Sequence, residues 1–412
     1  MPAALNLQRN SEVYMSTVDL NNGGTGANMT PSNTWRVEVL AGYAASQASA
    51  TQDITSLESG LSPDRSTQRF NTAINPTEWN FQTYLRPTGV NNTDNGASLP
   101  VADWFLWQAL LSNTSFAVGV GATSNVQSTW ENNGKFRTEQ RVASDNVAAH
   151  MSNFAVAPEY QLYMKLDNVV YQVRNATVNE AAVDAAIDGI ATTSWSGFGT
   201  HFIELTGAAR DNFISVSGGI LNSGSPAAAN VSANVGVTEY TYHKWADFGG
   251  VTSAFIKNRL SAIEITHTPQ GGGAATYTFP VTGLGVTYSN GLTYLTPEEL
   301  AALNMPIGQF TGAKTVTGNF TAYLRAGADD SAQFLRNIVN DTRTSIAQAS
   351  TANLKIGGTT APFVAFNMPA VQYNFPTHST EDILSISVEF LAQETTATRG
   401  TGSELTMIVS GV

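Results

Sequence analysis

The sequence predicts a mainly β protein made of two tandem copies of one domain, each with a flanking α-helix. Three observations carry this expectation. The 412-residue chain is only 13% charged and is rich in Asn, Thr, Ser, Gly and Ala, a composition that suits sheets and turns. A seven-residue strand motif occurs twice, each time ahead of a helical pattern, and an internal repeat defines a fold. The length is ample for two hydrophobic cores.

The motif Asn80-Phe81-Gln82-Thr83-Tyr84-Leu85-Arg86 returns 239 residues later as Asn319-Phe320-Thr321-Ala322-Tyr323-Leu324-Arg325, with five of seven positions identical. Phe81, Thr83 and Leu85 fall on one face of an alternating strand, and Asn80, Gln82, Tyr84 and Arg86 on the other. Phe320, Ala322 and Leu324 repeat the apolar face. Upstream, Ile54-Thr55-Ser56-Leu57 matches Leu292-Thr293-Tyr294-Leu295; downstream, Phe105-Leu106 matches Phe334-Leu335 at an offset reduced to 229. The shorter offset implies extra residues in the first copy, and the polar stretch Thr88 to Ala97 is where an inserted loop belongs.

The helix is clearest in the second copy, where Phe334, Leu335, Ile338 and Val339 recur at helical spacing behind Asp329, Asp330 and the capping residue Ser331. Its counterpart, Val101 to Leu111, carries Trp104, Phe105 and Trp107 and is expected to be more deeply covered. Val178 to Ile190 fits either a helix or a strand. Its apparent counterpart Leu384 to Phe390 alternates as a β-branched strand, which favours a strand in both. On that reading Val183, Ala185 and Ile187 face the core, while Glu180, Asp184 and Asp188 face the other way. Ser385, Ser387, Glu389 and Gln393 make the matching polar face in the second copy. Gly218 to Gly236 and Gly271-Gly272-Gly273 read as loops or hairpin tips, and Thr296-Pro297-Glu298-Glu299 as a helix start. The domains are set at 1–205 and 206–412, with the junction inside about 200–250.

Catalytic chemistry finds little support. With no cysteine there is neither a disulfide nor a thiolate metal site. His150, His201, His243, His267 and His378 are scattered, with no pair at metal-binding spacing, and no nucleophile elbow or phosphate loop occurs. Asp184 and Asp188 could form a carboxylate pair, but no aromatic platform for a sugar accompanies them, and a solvated charged face is the simpler reading. Neither a cofactor nor enzyme activity is expected. The net charge of -12 opposes a grip on phosphate backbones. The opening lacks a basic stretch followed by an apolar core, and no apolar run reaches the ~18–20 residues of a membrane span, so synthesis in the cytoplasm without a membrane partner is expected. The tryptophans admit a carbohydrate-binding module as an alternative, although Trp104 and Trp107, three apart on a helix, point inward.

Gln8-Arg9-Asn10-Ser11-Glu12-Val13-Tyr14-Met15-Ser16-Thr17, the motif strand with its helix, and Asp188-Gly189-Ile190-Ala191-Thr192-Thr193-Ser194-Trp195-Ser196-Gly197 together resemble the tail tube (major tail) proteins of siphophages. The resemblance implies a sandwich or rolled barrel whose copies join edge to edge into rings, stacked into a hollow tube in the virion tail. Most such proteins carry one tube domain and form hexameric rings; two domains per chain imply a trimer that imitates the hexamer. The implied partners are other copies of the chain, a tape-measure protein, tail terminator and tip proteins, and genomic DNA passing without specific binding. Sheet edges need partners, and a DNA conduit needs a polar, negative lining. On this reading Glu180, Asp184, Asp188, Ser385, Ser387 and Glu389 are candidates for the lumen. A different self-assembling β-rich virion or surface protein is the alternative, separated from the first by microscopy of the assembled particles.

Overall fold

The computed structural model describes residues 11–22, 34–54, 68–86, 103–110, 157–222, 256–296, 304–344, 349–357, 363–379, 383–394 and 404–410, with Met29 added and positions 168, 257, 270, 271 and 328 excepted. Most of these residues are strand, as the composition predicts. The first half contains β1 (Ser11–Ser16), β2 (Thr34–Val37), β3 (Ala44–Ser46), β4 (Ser49–Ile54), β5 (Gln68–Ile74), β6 (Thr77–Tyr84), α1 (Trp104–Leu110), β7 (Tyr160–Leu166), β8 (Val169–Ala186), β9 (Thr192–Gly199), β10 (His201–Leu205) and α2 (Gly207–Asn222). The second contains β11 (Ala262–Thr268), β12 (Ala275–Pro280), β13 (Gly283–Ser289), β14 (Leu292–Leu295), β15 (Gly308–Thr311), β16 (Thr315–Tyr323), α3 (Ser331–Thr344), β17 (Ala349–Ile356), β18 (Phe363–Met368), β19 (Ala370–Tyr373), β20 (Thr377–Ser379), β21 (Ser385–Gln393) and β22 (Thr406–Ser410).

The two halves share a topology. Each has an antiparallel five-stranded path, β2-β1-β7-β8-β10 in one and β12-β11-β17-β18-β22 in the other. The remaining strands make a single run through both halves, β3-β6-β9-β8-β13-β16-β21, with β19 and β20 end to end along the far edge of β21. Strand β8 serves both layers: its first part pairs with β7 and β10, its last part with β9 and β13. The equivalent path in the second half is divided at Pro369, between β18 and β19, where a missing N–H interrupts a ladder. Hairpins β4–β5 and β14–β15 leave the run at corresponding points and meet where Ile74 N donates to Asn304 O at 2.8 Å. No sheet closes into a barrel within the described residues.

Register makes the correspondence residue by residue. Phe81 lies opposite Trp195 and Tyr84 opposite Thr192, as Phe320 lies opposite Val388 and Tyr323 opposite Ser385. Beyond the strands, Leu85 N donates to Ala191 O and Leu324 N to Leu384 O, both at 2.9 Å. Strand β21 is therefore the counterpart of β9. This corrects the sequence-based match of Val178 to Ile190 with Leu384 to Phe390; β8 corresponds to β18 and β19, which Pro369 hides as one path. Two further matches shift. Ile54 ends β4 whereas Leu292 opens β14, so the hairpins correspond but those residues do not. In the helices the buried i, i+4 pairs are Leu106 with Leu110 and Phe334 with Ile338, one residue out of step with the sequence match, because burial and not identity sets helix phase.

The strand over Val178 to Ile190 ends at Ala186; Ile187 and Ile190 lie on the following turn and are 44% and 42% exposed, so Ile187 is not a core residue. Gly218 to Asn222, expected as loop, continue α2, whereas Gly272 N bonds Pro269 O at 3.0 Å in a turn, as expected. Gln8 to Asn10, Thr88 to Ala97, the stretch from residue 223 to Gly236, Gly271, Pro297 to Glu299 and the side chains of Trp104 and Phe105 lie outside the described residues.

The core is continuous between layers and halves. Phe334 is fully buried among Tyr277, Phe279, Phe320 and Tyr373, with ring centroids 5.4–6.2 Å away, and burial of such a ring stabilises by about 1.5–3 kcal/mol. One core layer is filled in opposite senses in the two halves. Trp79 on β6 lies opposite Gly197 on β9, whereas at the equivalent places Gly318 on β16 lies opposite Phe390 on β21. A Cβ on Gly197 would sit 2.3 Å from Trp79 Cζ2, and one on Gly318 would sit 2.2 Å from Phe390 Cζ. Each glycine makes room for the ring across from it.

Candidate functional site

The strand run presents one buried and one polar face. On β6 the alternation buries Trp79, Phe81 and Thr83 and exposes Glu78, Asn80 and Gln82; on β21 it buries Ile386, Val388 and Phe390 and turns Ser385, Ser387 and Glu389 outward. Antiparallel pairing places directly opposed residues on the same face. Asn80, Ser196, Glu180, Ser289 and Thr315 therefore form one row across five strands. A second row runs Tyr84, Thr192, Asp184, Gly285, Asn319 and Glu389. The residues between are mostly Ser, Thr, Gly and Ala. Among the described residues of this face in the paired strands, the charged side chains are Glu78, Glu180, Asp184 and Glu389, all acidic.

Five of the six polar candidates named from sequence thus share a face, although β8 and β21 are not equivalent strands. Asp188 does not share it. It follows the strand end on an exposed turn, where Arg259 bonds it at 2.7 Å. Glu78 was missed because the repeated motif begins at Asn80, yet its alternation with Asn80 and Gln82 is visible in the sequence. Arg86, expected beside Asn80 and Gln82, instead turns inward after the strand ends and pairs with Glu38. Its repeat partner Arg325 is exposed. Burial of Arg86 is matched by a second acid: Asp103 accepts from Thr83 Oγ1 at 2.6 Å, and Thr83 accepts from Trp195 Nε1 at 2.9 Å. Desolvation pushes the Asp103 carboxyl up to about 7, against the Thr83 hydrogen bond and the charge of Arg86.

The run has two open ends. Among the described residues, strand β3 pairs only with β6, and β19 and β20 only with β21. At its centre, β8 of the first half pairs with β13 of the second over seven residue pairs, Glu180↔Ser289 to Ala186↔Gly283. The β14–β15 hairpin fastens this seam: Leu292 N donates to Asn179 Oδ1 at 2.8 Å, and Tyr294 OH donates to Asn175 O at 2.9 Å.

The described residues contain one arrangement reminiscent of catalysis. His267 Nδ1 is 2.6 Å from Ser350 Oγ, and Nε2 is 2.8 Å from Asp341 Oδ2. All three side chains are buried, so no substrate reaches the serine; the contacts tie α3 to β11 and β17. Burial lowers the basicity of His267, against the pull of Asp341. No group of His, Asp and Glu suited to a metal occurs among the described residues, and no described helix is long and apolar enough to cross a membrane.

No protein-family model matches the chain. A chain of the cryo-EM structure of the anti-feeding prophage (AFP) baseplate, 6-fold symmetrised, covers 32% of this chain and 89% of its own length at 10% identity; its TM-score of 0.22 is below that of a shared fold. The tail tube protein pb6 of Escherichia phage T5 is 28% identical over 397 residues, 94% of this chain and 73% of the relative. Along nearly its whole length, therefore, this mainly β chain is similar to a phage tail tube protein.

Proposed function

We propose that the chain is a structural, non-enzymatic subunit that closes as three copies into a ring, and that these rings stack into a tube whose lumen is lined by the polar strand face. The chain comprises two tube domains that meet after α2, inside the 200–250 range expected from sequence, as the repeated topology suggests. The observation that carries the reading is the β8–β13 seam: the last inner strand of the first half pairs with a strand equivalent to β3. Strand β3 of a neighbouring chain fits the open β19–β20 edge in the same way. This contact is head-to-tail, so it makes a ring if the rotation closes, and closure removes both edges.

Counting β19 and β20 as one broken strand, each chain supplies eight inner strands, and three chains make a cylinder roughly 50 Å across between backbones at ordinary strand spacing and tilt. Its inner face would carry Glu78, Glu180, Asp184 and Glu389 from every chain and no described cation from these strands, a lining that repels phosphates. Ser385 and Ser387 belong to that lining, whereas Asp188 belongs to its rim. The surroundings are a virion tail, where a tape-measure protein and tail end proteins are the expected neighbours. A reconstruction of purified tubes should resolve three chains per ring with pseudo-sixfold density. Six chains per ring, or an outward-facing polar sheet, would overturn the proposal.

A further inference from the structure

We infer that helix α3 of one chain covers Tyr171 and Phe202 of the next chain in the ring, forming an outer lock beside the strand seam. This rests on the ring proposed above and specifies the surfaces that hold it together. The internal seam supplies the template. Helix α1 of the first half does not stop at its own sheet: Trp107, which packs on Trp195 at 5.0 Å, also lies 6.4 Å from Phe366 of β18 in the second half. The Leu110 carbonyl, at the end of α1, accepts a hydrogen bond from Asn290 in the turn after β13. The first helix therefore bridges the halves at one point in its side and another at its end.

The equivalent places are identified by register. Leu354 lies opposite Phe366, and Met164 lies opposite Tyr171, with Leu354 and Met164 themselves facing the equivalent residues Ile263 and Val13. Tyr171 is therefore the first-half counterpart of Phe366. Continuing to the next strand, Leu405 precedes the Phe366↔Met407 pair as Phe202 precedes Tyr171↔Glu204, so Phe202 corresponds to Leu405. The difference in burial between the two sites is the decisive feature. Phe366 and Leu405 are 0% and 3% exposed, whereas Tyr171 and Phe202, stacked at 5.1 Å, are only partly buried at the margin of the core. The Phe366 ring lies against Trp107 of the helix from the preceding half, whereas the Tyr171 ring stacks on Phe202 of its own sheet.

Helix α3 has the complementary feature. Matching the buried pairs Leu106–Leu110 and Phe334–Ile338 makes Leu335 the counterpart of Trp107. Leu335 is partly buried and packs at the margin of the core. A second copy of this chain is the occupant that fits, because the internal seam already joins the same elements. The lock lies on the outer layer, away from the polar face, and pairs apolar groups that a solvated single chain leaves half covered.

The absence of cysteine makes the test direct. The full chain carrying Leu335→Cys and Tyr171→Cys is assembled into tubes and treated with a short bis-maleimide, since the template rings, 6.4 Å apart, are too distant for a disulfide. Covalent products ending at three chains are expected, and neither single variant should form them. Intact three-chain rings without cross-links would overturn the lock and leave the ring standing. A product ladder continuing to six would retain the lock and overturn the stoichiometry. If the double variant fails to form tubes, hydrogen exchange of the natural chain decides: protection in α3 and around Tyr171 should rise on assembly, and unchanged exchange at both would remove the lock.

Discussion

At the scale of single residues, the two copies differ most in how they treat the arginine that ends the shared motif. Arg325 stays in solvent, while Arg86 is buried with Glu38 and close to Asp103. Two carboxyls and one guanidinium in a dry site favour one retained proton. Burial raises the Asp103 carboxyl to about 7 in the fold, above its value of 3.8 when unfolded. Between those values the native chain holds a proton that the unfolded chain has lost. Stability is thus fully present below about pH 4 and falls as pH rises through 7, by a few kcal/mol in total for a carboxyl shifted this far. Asp103→Asn should flatten this part of the profile and leave the variant more stable than the natural chain at pH 8 than at pH 5, relative to each other. Urea unfolding at both pH values measures it; an unchanged slope would mean that Asp103 is ionised in the fold. Sequence could not reveal this cluster, because Glu38, Arg86 and Asp103 come from segments that meet only in three dimensions.

At the scale of elements, the oppositely filled core layer explains both a vulnerability and a gap in what was legible. Gly318→Ala sets a Cβ 2.2 Å from the Phe390 ring and 2.9 Å from Gly285 O, so it should destabilise by about 1–3 kcal/mol. Part of that loss should return when Phe390→Leu is added, and a double-mutant cycle in thermal unfolding checks the coupling. Strict additivity would place the strain elsewhere. The motif strands were readable because β6 and β16 keep their aromatic and amide pattern on both faces. Their neighbours β9 and β21 were not matched, since Trp79 with Gly197 and Gly318 with Phe390 preserve volume while erasing identity. The β8 path was hidden by the interruption at Pro369, and the helix phase slipped because Trp107 was kept for a contact that Leu335 does not make within the chain. The polar face was legible as alternation, but which strands complete it depends on pairing, a non-local property.

At the scale of the whole molecule, the proposed lumen lining sets what a tube of this chain would pass. On the lumen reading, Glu180→Lys with Asp184→Lys leaves the core untouched, because both side chains point away from Ala181, Val183 and Ala185. Tubes should still form. Genome release should slow and become strongly salt-dependent, since each added lysine can displace counterions from passing phosphates. Release kinetics from intact particles measure the effect, and natural kinetics at all salt concentrations would move this face off the lumen. The seam between β8 and β13 has a separate consequence for how a ring begins. Every association of free bodies sacrifices translational and rotational freedom, an estimated 4–15 kcal/mol each time. On the three-chain ring proposed above, a chain that already holds one of every two seams by its own covalent continuity brings three bodies together where single-domain chains would need six. The nucleation step therefore has a lower molecularity, and tube initiation should fall less steeply on dilution than it would for separate halves.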